Sequence, residues 1–330
     1  MKIKKLHIKN FKSIADLEII EPNPFTVFVG PNGSGKSNIF EALEFWNLGY
    51  KGYFIDLNSL FGGKKNMLHF NNFEQSANVS VEFANDNIID SYAIVFPTDI
   101  GNQVLQNQFA SNFEAFKKSP DYPQFISNFS RLFINSSKGN KLNFQDDKQL
   151  TFVTDNLEKV LKRILKDESK KEEILDWLRL FIPEFDDVFI ESSELSRTDT
   201  LIVKEKYSAK YFTKDLISDG TYNILALLTA VFQSDEPQFL CIEEPENGLN
   251  PRVIKELVGF FRNACEEKGH YIWLNTHSQT LVSELTPDEI ITVDKVKGET
   301  KIKQFKGEDF HGLSMDEAWL TNTLGGGLPW

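Results

Sequence analysis

Apolar residues fall at Ile3, Leu6, Ile8 and Phe11, and again at Leu17, Ile19 and Ile20. The spacing predicts two strands, each with a polar face. Pro22 and Pro24 punctuate the turn that follows. Phe25-Thr-Val-Phe-Val29 is an unbroken run of β-formers that ends at Gly30, as expected of a buried parallel strand. Ile39, Phe40, Leu43 and Trp46 then carry a helical pattern. Ala77–Phe83 and Ser91–Phe96 read as two more strands.

From about residue 97 to 183 the character changes. Strict alternation is lost, and Leu157, Val160, Leu161, Ile164 and Leu165 recur at helical spacing. Ile174, Leu175, Leu178 and Phe181 extend a similar face. Pro120 and Pro123 break the block, which is too short for a long coiled coil, so it reads as a helical insertion. Strand-like segments return at Asp187–Ile190 and Leu201–Tyr207. A helix over Thr221–Phe232, a buried strand at Gln238–Ile242, a helix over Pro251–Glu267 and a last buried strand at Tyr271–Leu274 follow. Strands alternating with helices indicate an α/β fold. The expected organisation is a split domain, 1–96 with 184–330, interrupted by a helical insertion at 97–183.

Composition narrows the class. At 330 residues with 41% hydrophobic and 25% charged positions, the chain has the makeup of a folded globular protein. No apolar run approaches the roughly 18 residues that a membrane-spanning helix needs. The basic start, MKIKKLHIKNFKS, has no apolar core behind it and is not a secretory signal. Cys241 and Cys265 do not form a disulfide framework or a zinc pattern. A cytoplasmic location without a membrane partner is expected. A net charge of −12 argues against a surface given over to nucleic acid, although it leaves room for a local basic groove. The 29 phenylalanines read as an aromatic core.

Four segments carry candidate chemistry. Gly30-Pro-Asn-Gly-Ser-Gly-Lys-Ser37 matches the pattern GxxxxGK[ST] between a strand and a helix. Such a loop turns its backbone N–H groups onto phosphates, with Asn32, Gly33, Ser34, Gly35 and Asn38 lining the cradle. Lys36 would reach the β- and γ-phosphates, and Ser37 would offer a hard oxygen to Mg²⁺. Phe239-Leu-Cys-Ile-Glu-Glu-Pro-Glu246 is an apolar strand ending in carboxylates. Glu243 is placed to bind Mg²⁺ and Glu244 to orient or deprotonate an attacking water; an acidic turn at a strand end is the plainer alternative. His277, in Tyr271–Ser278, is either a capping or core histidine or a γ-phosphate contact at the ligand edge of an open sheet. Leu216-Ile-Ser-Asp-Gly-Thr221 precedes an apolar helix. Ser218 and Gly220 there read either as a helix cap or as a phosphate-binding helix start.

In their order, and in the spacing from Ser218 to Glu243 and from Glu244 to His277, these motifs resemble an ABC-type ATPase head. The text GPNGSGKSNIFEAL, the opening Ile8-Lys-Asn-Phe-Lys-Ser13 and the Ser-Asp-Gly-Thr signature are similar to the SMC/RecF/OLD-like branch. The long stretch between Ser37 and Ser218 is also typical of that branch. The resemblance spans roughly residues 1–95 and 185–295. It implies a P-loop core with an antiparallel β lobe in a mixed sheet, and ATP and Mg²⁺ as cofactors. It further implies two heads pairing head to tail around two ATP molecules, with Ser218 and Gly220 of one on the γ-phosphate held at Gly33–Ser37 of the other. Asn247–Asn250 would couple the two sites. Glu243 stands where the branch usually has an aspartate, and Gln75 is the candidate for its Q-loop glutamine.

The expected function is an ATP-hydrolysing switch that controls a separate effector, such as a nuclease or toxin-like protein in anti-phage defence. The alternative is a RecF-like DNA repair clamp. Its basic groove would come from Lys2, Lys4, Lys5, Lys9 and Lys12 and from the lysines between Lys162 and Lys171. The signature and the insertion argue against a transporter subunit.

Overall fold

A computed structural model describes residues 2–51, 60–69, 76–85, 88–96, 128–134, 136, 147–193 and 198–326. Strands β1 (Lys2–Phe11), β2 (Ile14–Ile20) and β3 (Phe25–Val29) lead into helices α1 (Lys36–Tyr50) and α2 (Lys64–Met67). Next come β4 (Ala77–Asn85), β5 (Ile88–Phe96) and β6 (Phe129–Leu132), then α3 (Leu157–Ile164) and α4 (Glu168–Phe181). Strands β7 (Phe185–Ser193), β8 (Thr198–Glu205) and β9 (Tyr211–Thr213) precede α5 (Asp219–Phe232). The order closes with β10 (Phe239–Glu243), α6 (Pro251–Lys268), β11 (Tyr271–Thr276), α7 (Gln279–Val282), β12 (Ile290–Val296), β13 (Glu299–Gln304) and α8 (Met315–Leu320).

The central sheet runs β13-β12-β3-β11-β10-β6. All its neighbours are parallel except β13, which pairs antiparallel with β12. Alternate side chains of the buried strands separate two cores. Phe28, Phe239, Cys241 and Trp273 face α1 and the first antiparallel sheet, β2-β1-β4-β5. Val27, Val29, Leu240, Ile242, Ile272 and Leu274 face the helices α3 to α6. Burial on both faces explains why these strands read as continuous apolar runs rather than alternating ones. A third sheet, β7-β8-β9, lies beside α3 and α4.

Local signals explain the element limits. Asn250 caps α6 by accepting from the Arg252 N–H at 2.9 Å, Pro251 fills its first turn, and Gly269 ends it at φ +66°. In β1, Ile3 and Leu6 are both buried although three positions apart, because the register shifts between Ile3 and Lys5. An extra residue there restores both side chains to the core face.

Two differences from the sequence reading concern the central sheet. The segment 97–183 contains a core strand, β6, parallel to β10, in addition to the expected helices. Tyr271–Thr276 is not the last strand, since β12 inserts beside β3 and β13 closes the sheet. Mixed polar and apolar residues in Glu299–Gln304 hid β13, a half-exposed edge. Among the described residues no helix is long and apolar enough to cross a membrane.

Candidate functional site

Register brings the motifs together. Glu243 pairs with Asn275, and Thr276 pairs with Val29, so β3, β10 and β11 end at one edge of the sheet. Beyond β3 the chain turns through Gly30–Gly35 into α1. A side chain at Gly30 would overlap the carbonyl of Val293, and one at Gly35 (φ +106°) would overlap the Thr300 hydroxyl. These two glycines let the loop lie against the β12–β13 hairpin. That hairpin braces it: Thr300 Oγ1 donates to Ser34 O at 2.8 Å and lies 2.6 Å from Ser13 Oγ. Asn38 Nδ2 donates to the same Ser13 hydroxyl at 2.6 Å, so Asn38 belongs to the brace.

Lys36 is buried with its ammonium folded onto the loop, donating to Gly30 O at 2.7 Å and Pro31 O at 3.2 Å. Burial pushes its pKa down to about 8, against the upward pull of Glu244, Glu246 and Glu243. A desolvated cation resting on carbonyls is well matched to an incoming phosphate. Two further features fit an anion here. The start of α1 has no side-chain cap, and Ser34 Oγ is buried without a hydrogen-bond partner among the described residues. Asn32 and Gly33 are exposed at the lip of the loop.

The two adjacent glutamates differ sharply. Glu243 is buried, and its Oε2 accepts from Ser37 Oγ at 2.7 Å. Its Oε1 accepts from Arg131 Nε at 2.7 Å and from Arg131 Nη2. Asn275 Nδ2 lies 3.5 Å from Ser37 Oγ. Hard oxygens from Ser37 and Glu243, beside an open loop, suit a magnesium ion that keeps waters and phosphate oxygens in its shell. Among the described residues no cluster of three or more His, Cys, Asp or Glu forms a metal cage, and such an ion needs none.

Glu244 sits in the left-handed region (φ +48°), held by its N–H to Asn275 O at 3.0 Å. This turn swings the carboxylate out of the core, where Asn247 Nδ2 donates to Oε2 at 3.0 Å. His277 Nε2 lies 3.8 Å from Glu244 Oε1. Burial and the nearby Lys36 lower the His277 pKa, with Glu244 pulling the other way, so the imidazole favours its neutral form. The half-buried Glu246 fixes this turn by accepting from Thr276 Oγ1 at 2.5 Å and from the His277 N–H at 3.1 Å.

The signature lies elsewhere on the chain. Ser218 caps α5, accepting from the Thr221 N–H at 3.0 Å. A Cβ at Gly220 would lie 2.6 Å from Gly248 O, and Asn223 Nδ2 donates to Asn247 O at 2.5 Å. The signature thus packs on the loop after β10. Among the described residues neither Ser218 nor Gly220 has a hydrogen bond to the phosphate loop. Gln75 lies outside the described residues.

The sequence reading assigned no role to Arg131, Asn275, Glu246 or Thr300. Two signals were available. Asn275 and Glu246 lie within the quoted motifs, and Arg131 is a lone charge in the apolar run Phe129-Ser-Arg-Leu-Phe-Ile134. For Thr300 the sequence holds no local signal.

A P-loop sheet joined to an antiparallel lobe, with carboxylates after one strand and a histidine turn after the next, has the fold of an SMC-type ATPase head. The family model described as "AAA domain, putative AbiEii toxin, Type IV TA system" matches residues 25–283, and the chain belongs to that family. Among solved structures, an Smc head bound to the C-terminal winged-helix domain of ScpA is similar with a TM-score of 0.56. It is 15% identical and covers 96% of this chain and 100% of that one. A Pyrococcus furiosus Smc head bound to the C-terminal domain of ScpA gives a TM-score of 0.51 at 14% identity, covering 96% and 97%. These likenesses establish the fold. Curated relatives match over short stretches. The chromosome partition protein Smc of Methanocaldococcus jannaschii is 54% identical over 43 residues, 13% of this chain and 4% of that protein. The energy-coupling factor transporter ATP-binding protein EcfA of Methanoculleus marisnigri is 40% identical over 60 residues, 18% and 21%. The chain therefore spans a small part of the curated relatives it matches.

Proposed function

We propose that this chain is a magnesium-dependent ATP-hydrolysing switch that closes as a head-to-tail dimer around two ATP molecules and controls a separate effector. One observation carries the reading. The loop, both carboxylates and His277 share one sheet edge, while Ser218 and Gly220 form a second helix start, with Ser218 exposed and, among the described residues, no hydrogen bond from either to the phosphate loop. A second copy would supply what each site lacks.

On this reading Lys36 leaves the carbonyls of Gly30 and Pro31 for the β- and γ-phosphates. Asn32, Gly33, Ser34, Gly35 and Asn38 form or brace the phosphate cradle. Ser37 and Glu243 hold Mg²⁺, which neutralises phosphate charge and fixes geometry when bound. Glu244 orients the attacking water and takes its proton, and His277 contacts the γ-phosphate. The loop at Asn247–Asn250 couples the sites, because Gly220 and Asn223 rest on it. The segment 97–183 interrupts the head formed by 1–96 and 184–330 while lending it the core strand β6. A separate partner is supported by the family, whose description names a toxin system, and by the similar Smc heads, which are bound to domains of ScpA.

The DNA-clamp alternative has less support. Several of the lysines it needs are engaged with acids: Lys4 with Glu21 at 2.7 Å, Lys5 with Glu18 at 2.6 Å, Lys9 with Asp16 at 3.6 Å and Lys162 with Asp199 at 2.8 Å. The deciding experiment is the mass of Glu244→Gln by light scattering with saturating ATP and Mg²⁺. A dimer that reverts to monomer with ADP is expected. A monomer under all conditions overturns the switch.

A further inference from the structure

Strand β6 brings one arginine into the central sheet, and its side chain is only 3% exposed. Its guanidinium joins three elements. Nε and Nη2 hold Oε1 of Glu243 at the end of β10, and Nη1 donates to Glu44 Oε2 on α1 at 2.8 Å. Glu41, also on α1, lies 3.4 Å from Nη1, and the Phe152 ring centroid lies 4.9 Å from the guanidinium carbon. Burial opposes the charge, but Glu44, Glu243 and Glu41 outweigh it and keep the group protonated far above neutral pH.

Two consequences follow from this geometry. A glutamate carries one more rotatable bond than an aspartate, so its carboxylate needs external fixing to face one direction. The fork of Arg131 occupies Oε1 and leaves Oε2 alone toward the Ser37 hydroxyl. Glu44 stands two turns beyond Ser37 on α1, so the same guanidinium ties that helix to the strand bearing Glu243. Both candidate cation ligands are thereby held in one register.

We infer that Arg131 is the positioning residue of the divalent-cation site, presenting a single oxygen of Glu243 beside Ser37. The inference rests on the reading that Ser37 and Glu243 hold the cation. It also gives the segment between β5 and α3 a direct hold on that site, through β6.

The test uses the full chain, Mn²⁺ as the cation probe and ADP as the nucleotide, with free Mn²⁺ read by electron paramagnetic resonance. A fluorescent ATP analogue measures nucleotide binding separately in EDTA. Arg131→Lys keeps the charge and removes the planar fork. Its Mn²⁺ affinity should fall about 10- to 100-fold, the usual cost of losing a ligand's outer partner, while metal-free nucleotide binding stays within about twofold. Glu44→Gln keeps the Arg131–Glu243 contact and loosens its anchor, so a drop of about threefold is expected. It carries the test if Arg131→Lys does not fold. Parent-like Mn²⁺ affinity in folded Arg131→Lys, or in Glu44→Gln where only that variant folds, overturns the inference. A parent protein that binds ADP but no Mn²⁺ with it overturns instead the cation site itself.

Discussion

The chain contains two helix starts rich in small polar residues, and they are finished in opposite ways. At the start of α1 no side chain caps the helix, the loop is braced from behind by Thr300 and Ser13, and a buried lysine lies over it. At the start of α5 the Ser218 hydroxyl accepts from its own Thr221 N–H and stands exposed. The first leaves its helix start without a side-chain cap inside a braced loop, the condition for binding an anion. The second satisfies itself, so a phosphate there must come from outside and compete with the cap. A helix N-terminus is thus not one kind of site, and what surrounds it decides its use.

The largest effect expected from this contrast is complementation. Lys36→Met and Ser218→Arg should each lose turnover by about 10²-fold or more, since each removes one half of every composite site. Mixed in equal amounts, they should recover about a quarter of the parent ATPase rate, because half of the dimers then hold one intact site. A mixture as inactive as its components would show that the α5 start does not act on a neighbouring chain.

The next effect separates the two regions through their glycines. Gly35→Ala meets both a positive φ and the Thr300 hydroxyl, and should cost about 3 kcal/mol and abolish nucleotide binding. Gly220→Ala meets only Gly248 O, should cost about 1–2 kcal/mol, and should leave the nucleotide Kd unchanged. Thermal melts and calorimetric titration of both variants check this. Equal loss of nucleotide binding in both would erase the distinction.

The phosphate loop was legible in the sequence because strand, glycines, lysine and helix are contiguous there. The carboxylates and the histidine were legible because each ends an apolar strand. What holds them in place was not. Arg131 and Thr300 reach the site from β6 and β13, far from it in sequence, and both strands are edges whose patterns are weak. Glu243 was singled out as a candidate from its strand end, but its environment was not legible, because a partner 112 positions away leaves no local trace. The signature stayed ambiguous for a further reason. A helix cap and a phosphate contact use the same serine, and in the folded chain the cap is what forms.

A smaller effect follows from Lys36. Burial lowers its pKa to about 8 from 10.5, so at pH 7 the native state carries a buried charge that the unfolded chain carries in water. Between pH 8 and 10.5 the unfolded chain binds the extra proton, and stability rises with pH. Lys36→Met should therefore stabilise the nucleotide-free protein at pH 7, by at most about 3 kcal/mol, and the advantage should vanish by pH 10.5. Nucleotide affinity runs the other way, weakening in the parent as pH rises through about 8. Melts and titrations from pH 7 to 10.5 read both trends. An affinity that is flat across this range would detach Lys36 from the phosphates.

The smallest effect is the most discriminating. Ser218→Ala removes the cap of α5 and should cost about 1 kcal/mol, with nucleotide binding to the isolated chain unchanged. Ser218→Asp restores a cap of equal quality and adds a charge favoured by the helix dipole, so its melting temperature should match the parent or exceed it. Yet that carboxylate would face the γ-phosphate of the opposing chain, and repulsion at that distance should keep turnover far below the parent's. Stability and activity thus move apart in one variant and together in the other. If Ser218→Asp hydrolyses ATP as the parent does, the hydroxyl of Ser218 serves α5 alone. The two helix starts would then differ in kind, one a site and the other only a cap.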